Sequence, residues 1–286
     1  MFKKILVPLT GAGTDRRSAT LAFTVADRVR GHVVGLCVTP HAEVASPVET
    51  ASIPAALGRK LREIAETRQS ELVASARRLF DDLGRRFGGP GIEGPTSSWR
   101  AEVGSLAEIV PEEARLADLT VFAPDGGGAD LIGAALEATL FGSGRPILLA
   151  PAMEPGAEPT SFGTSVAVAW DGGLPASRAV ASALPLLAAA ERVVILSGEK
   201  PSARRAGDPD RLAESLRWYG VNAECLRVTD DGRPLALALV AGAAECGCDL
   251  MVMGGYGHSR FRETVLGGVT RDILSTPPDL PILMAH

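Results

Sequence analysis

Short apolar runs alternate with longer amphipathic stretches along the whole chain, and that alternation predicts the architecture. Ile5 to Leu9 and Val33 to Val38 have the length and continuous hydrophobicity of buried strands, and about Arg17 to Arg30 between them has helical spacing. A strand, a helix and a strand in that order form a βαβ unit, which requires a parallel sheet. Residues 54–87 carry the longest helical pattern, with Leu57, Leu61, Ile64, Leu72, Leu79, Phe80 and Leu83 at helix-like intervals and charges between them. This is longer than a crossover needs, so its N-terminal part is expected to cover something beyond its own sheet. Gly88-Gly89-Pro90-Gly91 stops it. Ser97 to Glu102, Leu119 to Ala123 and Arg145 to Ala150 read as further strands, with a helix from Leu106 to Ala117.

Residues 152–163 are rich in Pro, Gly, Glu and Ser and have no apolar period, which marks a linker. After it the pattern starts again. Ser165 to Trp170, Val193 to Leu196, Ala223 to Val228, Asp249 to Met253 and Leu280 to Ala285 read as strands. Helices are expected over Ala176 to Ala189, from Asp208-Pro209 to near Gly220, and over Leu235 to Cys246. The closing runs of the halves, Arg145-Pro-Ile-Leu-Leu-Ala150 and Leu280-Pro-Ile-Leu-Met-Ala285, nearly repeat one another, and internal duplication explains them. The domains are therefore 1–151 and 164–286. Both closing strands are apolar edges that would invite aggregation if bare, so they are expected to pair antiparallel across the halves.

Length and composition narrow the function. A chain of 286 residues suits two domains, and few aromatics with many aliphatics suit an α/β core. The net charge of −5 with interspersed Lys and Arg gives no basic stripe, which argues against nucleic acid as a partner. Ala179 to Ala190 is too short and Pro-interrupted to span a bilayer, and Met1-Phe2-Lys3-Lys4 runs straight into a strand, so the expected location is the cytoplasm. Cys37, Cys225, Cys246 and Cys248 form neither a disulfide framework nor a zinc pattern, and they read as packing thiols. His32, His41, His258 and His286 have no metal-ligand spacing.

The chemistry centres on the stretch from Gly254 to Thr270. Gly254 and Gly257 let the chain leave a buried strand in a tight loop, and Gly267-Gly268 precede Val269-Thr270-Arg271-Asp272-Ile273-Leu274, which looks like the start of a helix. A strand, a glycine loop and a helix N-terminus make a phosphate site, because free N–H groups and the positive dipole end both face the anion. The other reading is a loop and a helix cap that need glycine for packing alone.

Gly254, Gly257 and Gly267 fit Gly-x2-Gly-x9-Gly-Ser/Thr, and here the chain resembles the universal stress proteins, whose nucleotide-binding members carry that motif after the fourth strand. The resemblance covers nearly the whole chain. It implies two doubly wound, open, parallel five-stranded sheets of the adenine nucleotide alpha hydrolase-like kind, in tandem, forming an intrachain pseudo-dimer with a further homodimer in prospect. It also implies ATP or AMP as ligand, with magnesium only as carried by the nucleotide. Gly268 departs from the pattern, standing where the family has a hydroxyl, and Thr270 lies two residues on. By the same resemblance Asp171 in Val168-Ala169-Trp170-Asp171 holds the nucleoside and Gly198 takes the adenine side, so the binding set is Asp171, Gly198, Gly254, Gly257, Gly267, Gly268, Val269 and Thr270. A carboxylate at Asp171 can accept from ribose hydroxyls, or alternatively can cap the turn before Gly172-Gly173. The first half has Thr10 in place of that Asp, Ala123-Pro124-Asp125-Gly126 in place of the first glycine pair, and Leu136 opposite Gly267. It reads as a structural partner without a ligand.

Competing chemistries fit less well. Gly257-His258-Ser259-Arg260-Phe261 approaches a nucleophile elbow, with Asp272 or Asp279 and His286 following in hydrolase order. Phe261 stands where the crowded elbow needs a small residue, and His286, last in the sequence, is not expected to be held rigidly. Gly11-Ala12-Gly13 lacks the third glycine of a dinucleotide fingerprint, since Arg16 stands there. No Lys follows a glycine loop to clamp phosphates, so slow ATP hydrolysis is the upper limit expected, with no catalytic residue assigned. A ligand-free interaction module of the same fold is the remaining alternative.

Overall fold

The computed structural model describes residues 2–40, 55–88, 93–124, 131–152, 161–199, 205–229, 232, 234–255 and 279–286. In the first half β1 (Lys4–Leu9), α1 (Asp15–Val29), β2 (His32–Thr39), α2 (Ala55–Gly88), β3 (Thr96–Val103), α3 (Leu106–Ala114), β4 (Leu119–Phe122), α4 (Leu131–Gly142) and β5 (Ile147–Leu149) follow one another. The second half runs β6 (Ser165–Ala169), α5 (Leu174–Leu187), β7 (Arg192–Gly198), a 3-10 turn (Arg205–Gly207), α6 (Pro209–Arg217), β8 (Ala223–Val228), α7 (Leu235–Glu245), β9 (Leu250–Gly254) and β10 (Ile282–Ala285). Asp208 caps α6 by accepting from the Asp210 amide, with Pro209 beginning the helix as its fixed φ favours.

The strands form one sheet in the order β3-β2-β1-β4-β5-β10-β9-β6-β7-β8. The expected five-stranded sheets are therefore two halves of a single ten-stranded sheet. The join is the one antiparallel pairing described, Ile282 with Leu149, Leu283 with Leu148 and Met284 with Ile147, as the apolar closing strands predicted. All other pairings described are parallel. Central strands are buried on both faces, so their sequences are continuous apolar runs. The outermost strands, β3 and β8, are largely exposed and carry Arg100, Glu102, Glu224 and Arg227, which blunts the edges against further pairing.

Two hydrophobic layers cover the sheet, and each runs through both halves. Phe23, Ala26, Phe80, Leu83, Ala179, Ala183, Leu212 and Leu216 bring α1, α2, α5 and α6 onto one face. Val110, Leu136, Leu140, Leu239 and Ala243 bring α3, α4 and α7 onto the other. Arg28 of α1 ties the halves further by donating to the Gly163 and Ala189 carbonyls at 3.0 and 3.2 Å.

The duplication extends to single hydrogen bonds. Asp118, just before β4, accepts from the Lys3 and Lys4 amides at 2.7 and 3.0 Å. Asp249, just before β9, accepts from the Thr164 and Ser165 amides at 3.0 to 3.1 Å. Each carboxylate locks the register of a first strand against a fourth. Arg17 and Arg178, each seven positions beyond Thr10 and Asp171, donate to the carbonyls of Pro151 and His286, which follow the two closing strands.

Helix α4 is absent from the sequence reading, and α1 begins at Asp15, earlier than the Arg17 expected. The helix expected near Val269 lies outside the described residues. Among the described residues no helix is long and apolar enough to cross a membrane, and no group of His, Cys, Asp and Glu could hold a metal ion. All four cysteines are free; Cys37 and Cys248 are buried, and burial, with the Asp15 carboxylate second, pushes the Cys37 thiol up to about 11. A thiol reagent at neutral pH is accordingly expected to spare Cys37 and Cys248 until the protein is denatured. Mass spectrometry finding either one labelled in folded protein would contradict this packing.

Candidate functional site at the carboxyl end of the second half

In the first half the chain leaves β1 on one side of the sheet and β4 on the other, so a crevice opens between their carboxyl ends, and the repeat sets the equivalent point of the second half at the ends of its first and fourth strands. Open α/β sheets bind ligands at such a point. In the second half it lies between β6 and β9, with Trp170-Asp171-Gly172-Gly173 on one side and Gly254-Gly255 on the other.

Asp171 Oδ1 accepts the Gly173 amide at 2.8 Å, and Gly173 is the N-cap of α5. The turn role read from the sequence is therefore made, and the bond fixes the Asp171 carboxylate beside the start of α5. Gly172 has φ +72°, and a Cβ there would stand 2.4 Å from the Gly207 nitrogen and 2.6 Å from the Ala206 carbonyl carbon. The Trp170 indole donates to the Ala206 carbonyl at 2.9 Å. The 3-10 turn after β7 is thus pinned on the loop that carries Asp171, a support that the sequence reading missed. The pairing of a bulky indole donor with Gly172 two residues on was its only signal.

Gly198 ends β7, where an added Cβ would meet Leu235 at an ordinary 3.4 Å, so packing does not require glycine there. Beside it the Ser197 hydroxyl is buried and has no hydrogen-bond partner among the described residues; Thr120 Oγ1 in β4 is the other such atom. Gly254 has a packing cause. Its Cβ would lie 2.5 Å from the Ala176 nitrogen and 2.8 Å from the Pro175 carbonyl carbon, so α5 can reach the end of β9 only over a glycine. Asp171, Gly198 and Gly254 are thus brought to one end of adjoining strands β7, β6 and β9. Gly257, Gly267, Gly268, Val269 and Thr270 lie outside the described residues, as do Ser259 and Asp272.

His286 is held firmly, contrary to the expectation for it. Its Nδ1 lies 3.1 Å from the Gly255 carbonyl, its ring stands edge-on to Phe141 at 4.7 Å, and its own carbonyl accepts from Arg178. Packing between the halves provides this order.

The matching crevice of the first half is filled by its own side chains. Asp15, in the first turn of α1, is 2% exposed and accepts from the Thr10 amide at 3.1 Å, the Gly11 amide at 2.7 Å and the Thr10 hydroxyl at 3.3 Å. Burial pushes its carboxyl above the ordinary value, and the Thr10 and Gly11 hydrogen bonds pull it partly back. Ala176 occupies the corresponding place in the second half, five positions after Asp171. Arg17 bridges the Pro124 and Pro151 carbonyls at 2.8 and 3.1 Å, and Leu72 of α2 packs on Gly11, where a Cβ would meet its Cδ2 at 2.8 Å. Leu136, opposite Gly267 in the repeat, is fully buried in α4. Asp125 lies outside the described residues.

Solved structures share this arrangement. A universal stress protein from Archaeoglobus fulgidus DSM 4304 superposes over 99% of this chain and 95% of its own, at TM-score 0.64 and 15% identity. The chain has the universal stress protein fold. A functionally unknown protein from Pseudomonas aeruginosa PAO1 covers 99% of this chain and 92% of its own, with TM-score 0.52 and 15% identity. A putative universal stress protein from Pseudomonas aeruginosa UCBPP-PA14 gives the same coverage and identity at TM-score 0.50. No protein-family model and no curated protein matches the sequence. The universal stress protein fold thus extends through both halves, while the identity level ties no residue role to this chain.

Proposed function

We propose that this protein is a cytoplasmic, tandem stress-response protein that binds an adenine nucleotide, ATP or AMP, weakly and in its second half only. The observation that carries the reading is the contrast between the two crevices. In the first half Asp15 takes the loop amides that would face an anion, whereas the second half has Ala176 there and holds Asp171 at the mouth. An ionised carboxylate is an acceptor-only group with two oxygens, the chemistry that suits a ribose hydroxyl. The Ser197 hydroxyl next to Gly198, without a partner among the described residues, adds a buried polar atom at the end of the sheet where the base would lie. Phosphates would fall to the glycine stretch from Gly254 to Thr270, with any magnesium arriving on the nucleotide. The domain division at residues 152–163 belongs to this proposal.

Calorimetric titration with ATP, ADP and AMP tests it. Asp171→Asn, which keeps an acceptor for Gly173, is expected to weaken binding about ten-fold or more, since a hydrogen bond to a charged group contributes about 1.5–3 kcal/mol. Gly268→Ser supplies the hydroxyl that the motif carries at this position and is expected to tighten binding by a similar factor. No heat from either the natural chain or the Ser variant would leave the ligand-free interaction module as the reading. That alternative draws on Gly254, for which the backbone of Ala176 is sufficient cause. Turnover is expected to be slow at most, because no cationic clamp on phosphate is in place among the described residues.

A further inference from the structure

Helix α2 splits into two parts with different surroundings. Its C-terminal part buries Ala76, Phe80 and Leu83 against the sheet, while Leu57 and Ile64 in its N-terminal part are 50% and 56% exposed and Leu61 is 36% exposed. A helix that leaves its apolar stripe uncovered is the mark of an interaction surface. Residues Gln69 and Leu72 already touch the carboxyl edge of the sheet, through Thr39 and Gly11, so the earlier turns extend beyond that edge.

The charges beside the stripe indicate what covers it. Lys60, Glu63, Ile64, Thr67, Arg68 and Glu71 line one open hollow along the helix. Reading toward the C-terminus, their charges run positive, negative, positive, negative, at intervals of three, five and three residues. That spacing is symmetric about the point between Ala65 and Glu66, and reversing the direction inverts every sign. A second copy of the same segment, laid antiparallel, therefore sets Lys60 against the partner's Glu71 and Glu63 against the partner's Arg68. Ile64 and Thr67 then face one another across the axis. Such self-complementarity is what a two-fold interface demands, since each contact occurs twice. We propose that the N-terminal part of α2 is a homodimerisation arm, pairing antiparallel with its counterpart in a second copy through Ile64 and these four charges.

The test is the molar mass of the full-length protein in solution, by light scattering or sedimentation, over a range of concentration and salt. The natural chain is expected to reach twice 29.7 kDa and to dissociate more readily at high salt. Glu63→Arg opposes like charges at two symmetric places and is expected to raise the dissociation constant about ten-fold or more. Arg68→Glu alone is expected to do the same. Combining the two restores opposite charges and with them the dimer, a rescue that a nonspecific association would not show. Circular dichroism confirms that each variant is folded, which these exposed positions permit. A natural chain that stays monomeric throughout would overturn the proposal and assign the stripe to its own chain or to another protein. A dimer indifferent to both single reversals would overturn it equally.

Discussion

Gly172→Ala is expected to lower the unfolding free energy by about 2–5 kcal/mol, the sum of a left-handed backbone cost of about 1–2 kcal/mol and an overpacking cost of about 1–3 kcal/mol. The first part follows from its φ of +72°, which an L side chain rarely adopts. The second follows from the backbone of Ala206 and Gly207, which stands where the Cβ must go and has no flexible end to move aside. Gly144 isolates the two. It has φ +67° with nothing within 4 Å of an added Cβ, so Gly144→Ala should cost about 1–2 kcal/mol, the backbone part alone. Urea unfolding of the two variants beside the natural chain reads the difference directly. Equal losses would mean that the 3-10 turn does not press on the Asp171 loop. A turn displaced by the added methyl group would carry the Trp170 indole and the Asp171 loop with it, and under the proposed function nucleotide affinity should then fall with stability.

What could be read from the sequence was whatever depends on local periodicity. Ile5 to Leu9 and Leu119 to Ala123 are continuous apolar runs because strands covered on both faces have no polar side to show, and they are interior strands of the sheet. The repeated closing runs foretold the antiparallel join because two apolar edges can hide only against each other. Helix α4 was missed for the opposite reason. Leu131-Ile132-Gly133-Ala134-Ala135-Leu136 has almost no polar face, so its period is invisible although the helix packs on α3 and the sheet.

The candidate site was legible in its positions more than in its causes. Asp171 and Gly254 were placed correctly at the ends of neighbouring strands, because both ends are marked by a change from apolar to turn residues. Glycine at 254 reads in the sequence either as freedom for a tight loop at a phosphate site or as packing alone, and the atoms that exclude a Cβ are those of Ala176 and Pro175, distant in sequence and brought there by the packing of α5 on β9. Asp15 escaped notice because an acid in the first turn of a helix is ordinarily an exposed partner of the dipole. Its burial depends on Leu72 and Arg17 closing over the loop, a tertiary fact with no local signature.

Asp15 gives the other large effect. Asp15→Ala leaves the part-buried amides of Thr10 and Gly11 without their acceptor, and a loss of about 2–6 kcal/mol is expected from two unsatisfied donors at roughly 1–3 kcal/mol each. The dependence on pH separates this account from simple cavity formation. Burial raises the Asp15 pKa above 3.8, so between that value and the higher one of the folded state the native protein holds a proton that the unfolded chain has released. The carboxyl therefore contributes most below 3.8, and the contribution shrinks as pH rises through the folded value and charge is forced into a site with little water. In the Ala variant this slope is gone, while every other titrating group cancels in the comparison. The difference in stability between natural chain and variant should consequently be larger in acid than at neutral pH. Urea unfolding at a series of pH values measures it. A difference that instead grows toward neutral pH would show that the loop amides outweigh burial and that the charged carboxylate stabilises the fold, reversing the assigned balance at this crevice.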